Sequence, residues 1–152
     1  MQAGREVKYQ AWILPTNEMK VVTSLRFDEN GKLFGITTPD TQPGGCIILK
    51  SVRLRQFTGL CDKNGKEIYE GDILKQMYRA ESGSYDDRIS HEGHHVGPVV
   101  ITASKGVCMK NPLCYSVETD ETSRSKQYKN VASYRCEVIG NIYENPELLK
   151  AI

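Results

Sequence analysis

The sequence predicts a mainly β protein, a β-rich α+β chain with an N-terminal strand layer, a small SH3-like β-barrel and a short C-terminal helix. Three observations predict it. Apolar residues alternate with polar ones in short runs, the period of a half-buried strand. Two turn signals of one form separate such runs, Asp28-Glu29-Asn30-Gly31 and Asp62-Lys63-Asn64-Gly65. Gly71-Asp72 leads into an aliphatic run, as at strand entries in small SH3-like barrels, where glycine permits the sharp bend and aspartate caps it.

The elements follow in order. Val7, Tyr9, Ala11 and Ile13 alternate with polar neighbours and Trp12, and Pro15 ends this strand. Met19 to Phe27 alternates again and predicts one strand. Asp28 to Gly31 turns it back into Leu33–Ile36, because Asp bonds forward to the backbone while Asn and Gly tolerate positive φ. Residues 39–45 carry two prolines and two glycines and form a loop. Val52 and Leu54 alternate with Arg53 and Arg55, which favours a strand there over a helix. Asp62, Asn64 and Gly65 close the next reversal, and Gly71 and Asp72 the one after it. The 79–97 segment is polar, almost without aliphatics, and predicts a mobile loop. Strands follow at Pro98–Thr102, Val107–Met109, Leu113–Val117 and within Tyr134–Tyr143, with 118–130 as loop or charged edge. Asn145 fits a helix cap, Pro146 the first helical position and Glu147 the first turn. The boundaries are therefore an N-terminal subdomain, 1–56, and a barrel region with its C-terminal helix, 57–152.

Composition limits the function classes. At 152 residues the chain suits one domain, or one with a small subdomain, and buries enough surface to need no metal or disulfide staple. Charged residues are 26% and hydrophobic ones 39%, a globular rather than a disordered balance. A net charge of +1 gives no overall field toward nucleic acid or an anionic membrane. No apolar run approaches the ~20 residues of a membrane helix. The first residues lack the apolar stretch of a signal peptide. Cys46, Cys61, Cys108, Cys114 and Cys136 are odd in number without CxxC spacing, which predicts reduced thiols in a cytoplasm.

Thr58–Lys75, TGLCDKNGKEIYEGDILK, and Glu137–Leu149, EVIGNIYENPELL, resemble the signature segments of the YopX protein family. Lys8-Tyr9-Gln10-Ala11-Trp12 and Met19 are similar to that family's N-terminal motif. The resemblance is close in the two signatures, loose over the first third, and slight between Arg79 and Asn130. It implies a phage or prophage origin and a fold. It implies no catalytic residue, since the family has no established activity.

Asp72 reads as a turn carboxylate rather than an acid or ligand, because no second carboxylate or histidine stands in fixed relation to it. His91, His94 and His95 form HxxHH, the sole support for a metal-dependent enzyme. The spacing matches no structural zinc pattern, and Gly93 argues against a helical zincin motif. No cysteine sits in a motif that lowers its pKa, so buried structural thiols are expected. Arg53 and Arg55 fall on one strand face and, with Phe57 and Lys50, suggest a nucleic-acid face; the competing reading is a solvated or edge-protecting face. The favoured expectation is a non-catalytic interaction or assembly module. It self-associates as a homo-oligomer or meets a phage or host protein, with no cofactor and no membrane. A small-barrel nucleic-acid binder is the alternative.

Overall fold

The computed structural model describes residues 6–150. Among the described residues strand makes up about 54% and helix about 7%, which makes the class mainly β. The chain divides after Phe57 into two compact units.

In the first unit, β1 (Tyr9–Ile13) pairs antiparallel with β2 (Glu18–Val21). β3 (Ser24–Phe27) pairs with β4 (Leu33–Thr37), and β4 with the two-residue β5 (Ile47–Ile48). The single strand expected from Met19 to Phe27 is thus two strands in two sheets. Val22 and Thr23 break it, and their amides bond to the carbonyls of Tyr9 and Thr37 respectively. A 3-10 turn, Leu49–Ser51, leads into β6 (Val52–Cys61), whose first half lies along β1. Ala11, Ile13, Ile36 and Val52 form the buried core of this unit.

In the second unit, the end of β6 lies beside β7 (Glu67–Tyr69). A half-barrel sheet of seven strands then forms. It contains β8 (Asp72–Ser82), β9 (Ile89–Thr102), β10 (Gly106–Met109), β11 (Leu113–Ser116), β12 (Glu121–Arg124), β13 (Lys129–Asn130) and β14 (Cys136–Asn141). Ile68, Leu74, Val99, Met109 and Cys136 are its buried centre. β9 is the central strand. One edge follows β8 from Ile89 to Pro98. The other edge takes β11 at Gly93–Val96 and β10 at Val99–Thr102.

Two expectations are corrected here, for 79–97 and for the C-terminal helix with its cap. The 79–97 segment is not a loop. It forms most of the β8–β9 hairpin, and only 83–88 is left between the strands. Both faces of the hairpin's outer half meet solvent, so no apolar alternation marks it. The stretch 118–130, expected as loop or charged edge, holds two short strands, β12 and β13, at the two ends of one path through the sheet. The C-terminal helix is a single 3-10 turn, Pro146–Leu149, with Pro146 at its start as expected. Asn145 precedes it but makes no side-chain cap bond. Its Oδ1 instead accepts from the Asn141 amide at 3.3 Å. Asn141 does the turn-making: its Oδ1 accepts from the amides of Tyr143 and Glu144, at 3.0 and 2.8 Å.

Candidate functional site

The two segments that carry the family resemblance meet in space. Asp62 is buried, and its Oδ1 accepts from the amides of Asn64 and Lys66, each at 2.9 Å. Its Oδ2 accepts from the Val138 amide at 3.0 Å, across 76 positions of sequence. The Lys63 amide bonds to the Cys136 carbonyl. Burial pushes the Asp62 carboxyl up, but the amides of Val138, Lys66 and Asn64 outweigh it and hold the group below its ordinary value. The same Asp62 charge, after burial, pushes the Cys136 thiol up. Gly71 has φ +87°, its amide bonds to the Val99 carbonyl, and its carbonyl accepts from the Ile142 amide. Asp72 is buried, and its Oδ2 accepts from the Tyr69 amide at 2.7 Å. The two aspartates of the opening signature therefore close turns, and Asp62 also joins the two signatures.

Arg53 and Arg55 differ in surroundings. Arg53 is exposed, whereas Arg55 is 6% exposed, with Nε and Nη2 donating to Oε1 of Gln10 at 3.0 and 2.7 Å. This fork ties β6 to β1.

The three histidines lie on β9, where successive side chains point to opposite faces. His91 and His95 share one face and His94 the other. His94 stacks on Tyr115, rings 5.0 Å apart, and His95 tilts against Tyr78 at the same separation. Among the described residues no three His, Cys, Asp or Glu side chains gather in a metal-binding arrangement. His91 instead joins a chain of polar groups. Its Nε2 is 2.8 Å from Ser82 Oγ, and its Nδ1 is 3.3 Å from Glu118 Oε1. Glu118 also accepts from Ser116 Oγ and the Glu92 amide. Those bonds, with His91, hold its carboxyl below the usual range.

The seven-stranded sheet has a concavity on each face. Register explains both. Gln76, His95 and Cys114 align across β8, β9 and β11, and Tyr78 flanks them. With Lys129, Asn130 and Arg135 they line a basin of about 470 Å³. On the other face His94, Val96, Leu113 and Tyr115 meet the C-terminal turn around about 310 Å³. Gln76 builds the first basin. It is buried, and its Nε2 donates to the Asn130 carbonyl at 3.0 Å while its Oε1 accepts from the Ala132 amide at 2.8 Å. It thereby pins the 130–132 segment against β8. Gly93 makes room for the rows of side chains: a Cβ there would lie 1.9 Å from the Tyr115 carbonyl and 2.6 Å from the Tyr78 hydroxyl. Sequence reasoning missed this basin, because its residues span 76–135 and only strand register brings them together.

The model of the YopX protein family matches residues 8–150. The chain belongs to the YopX protein family. Among solved structures it is similar to protein EF1440 from Enterococcus faecalis, at 25% identity and a TM-score of 0.55, covering 97% of this chain and 100% of that one. No curated protein matches. The YopX match runs across the middle of the chain, where the sequence alone offered little resemblance. Among the described residues, no helix of this YopX protein is long and apolar enough to cross a membrane.

Proposed function

We propose that this YopX protein is a non-catalytic interaction module of phage or prophage origin that acts in the host cytoplasm and self-associates through the β8–β9 hairpin. One observation carries the reading. β14 pairs with β8 only as far as Gln76, so among the described residues Met77–Ser82 has β9 as its only strand partner. An unpaired strand edge is a template for another strand. Exposed apolar side chains sit on or beside this arm: Met77, Tyr85 and Ile89. Family membership supports the phage origin, and the five free thiols support a reducing compartment. The half-barrel sheet supports the reading of the second unit as a small SH3-like barrel. The nucleic-acid alternative loses support, because Arg55 is buried on Gln10. Light scattering across a concentration series tests the proposal. Wild type should form dimers or larger species, and Met77→Glu with Ile89→Glu should shift them to monomer. A wild type that stays monomeric at high concentration sinks it.

A second reading, ester hydrolysis, has one observation in its favour: the Ser82–His91–Glu118 order of nucleophile, base and orienting carboxylate. Its members are solvent-facing and line none of the cavities described above, so nothing there excludes water from a reacting ester. Turnover of p-nitrophenyl acetate that Ser82→Ala abolishes would establish this reading over the first.

A further inference from the structure

The basin on the Gln76–His95–Cys114 row shares Tyr78 with the arm of the proposed self-association, but its chemistry is of another kind and does not rest on that reading. Its side walls include two aromatic rings, Tyr78 and His95, 5.0 Å apart and inclined at 45°. Its lining includes Lys129 and Arg135 and no acidic residue. Among the described residues neither cation has a carboxylate partner, although Arg135 does lie over the Tyr134 ring at 5.7 Å. Two cations at one concavity without a counter-ion leave a positive field that an anion relieves. A guanidinium fork and an ammonium point charge are the pair of donors suited to phosphate oxygens. The volume, about 470 Å³, lies within the range of small-molecule sites. Gln76, with both ends of its amide engaged by the 130–132 backbone, is a positioning residue that holds this side of the basin in place.

We infer that this basin binds a nucleoside monophosphate or a close analogue, its phosphate held by Lys129 and Arg135 and its ring against Tyr78 and His95. His95 reports on the site. Burial, then the charges of Lys129, His94 and Arg135, hold its imidazole below the ordinary value of 6.5. The groups facing it are Tyr78 on β8, Cys114 on β11, Lys129 on β13 and Arg135 before β14, with His94 its neighbour on β9. A bound dianion offsets the two cations, so the His95 pKa rises on binding.

The test is a titration of the full chain with inorganic phosphate, adenosine 5′-monophosphate and adenosine, followed by amide and imidazole NMR. The monophosphate should give saturable shifts at Tyr78, His95, Lys129 and Arg135, bind about tenfold tighter than phosphate, and raise the His95 pKa. Adenosine should do neither. Lys129→Gln and Arg135→Gln should each weaken monophosphate binding about five- to tenfold with unchanged melting temperatures. Absence of saturable shifts up to about 10 mM monophosphate, or variants that bind as tightly as wild type, would overturn the inference. Equal affinity for phosphate and monophosphate would overturn its nucleoside part.

Discussion

Two turns of this protein share one form and differ in what they hold. In Asp28–Gly31 and Asp62–Gly65 the first aspartate accepts from the amides two and four residues on, each at 2.9 Å. The glycines have φ +79° and +82°, and both glycine amides bond back to the aspartate carbonyl at 3.0 Å. Locally the two are interchangeable. Asp28, however, is exposed and its bonds to Asn30, Gly31 and Lys32 stay within its own hairpin, whereas Asp62 is buried and its second oxygen reaches Val138. The same short motif is a surface turn in one unit and a tertiary fastener in the other. Turn chemistry therefore specifies the reversal, and the surroundings decide how much stability depends on it.

Four perturbations break or sharpen that contrast, from the largest effect down. Gly71→Val should cost about 3 kcal/mol or more, or lose the soluble protein altogether. A β-branched residue is forced to φ +87° there, and its Cβ would meet Tyr143 and Ile142 at 3.4–3.6 Å. A well-folded variant in thermal melts would show that the fastened stretch is less constrained than its bonds imply. Asp62→Ala should cost about 2–4 kcal/mol in urea unfolding, since it strands the Val138 amide and two turn amides. Hydrogen exchange at Val138 should accelerate with it, and unchanged protection there would contradict the fastener role.

Acid gives the third. The folded-state value of Asp62 lies below the ordinary 3.8, so its contribution is fully present above that value and is lost as pH falls through the folded one. Asp62→Asn should make the stability–pH curve flatter below about pH 4; an identical slope in both proteins would remove the claim. Last, Asp28→Ala should cost only about 0.5–1 kcal/mol, measured by the same urea titration. A loss as large as that of Asp62→Ala would erase the distinction between the two turns.

What the sequence made legible was local. Asp, Asn and Gly at fixed offsets specify both reversals, and Gly71-Asp72 the strand entry, because their bonds close within a few residues. The β8–β9 arm was illegible for a physical reason: Arg79, Glu81, Glu92 and Ser82 all meet water, so neither face of the ribbon imposes an apolar period. The histidines invited a metal reading from their spacing, but a strand alternates faces and sends His94 away from His91 and His95. Arg55 looked like a surface charge, and only its pairing partner, Gln10, 45 positions away, explains its burial. The C-terminal turn carried good helix signals in Asn145, Pro146 and Glu147, yet four residues do not propagate a helix.

The pairing of β8 with β14 has a consequence for synthesis of the chain. At the usual pace of translation, roughly 5–20 residues per second, β14 emerges several seconds after β8. Throughout that interval the Asp72–Gln76 edge, the Gly71 carbonyl and the second oxygen of Asp62 wait without the partners that β14 and Ile142 supply. A nascent chain stalled before Cys136 thus exposes both an open strand edge and half of a buried polar lock, and it is at this stage that chaperone capture or co-translational aggregation should concentrate.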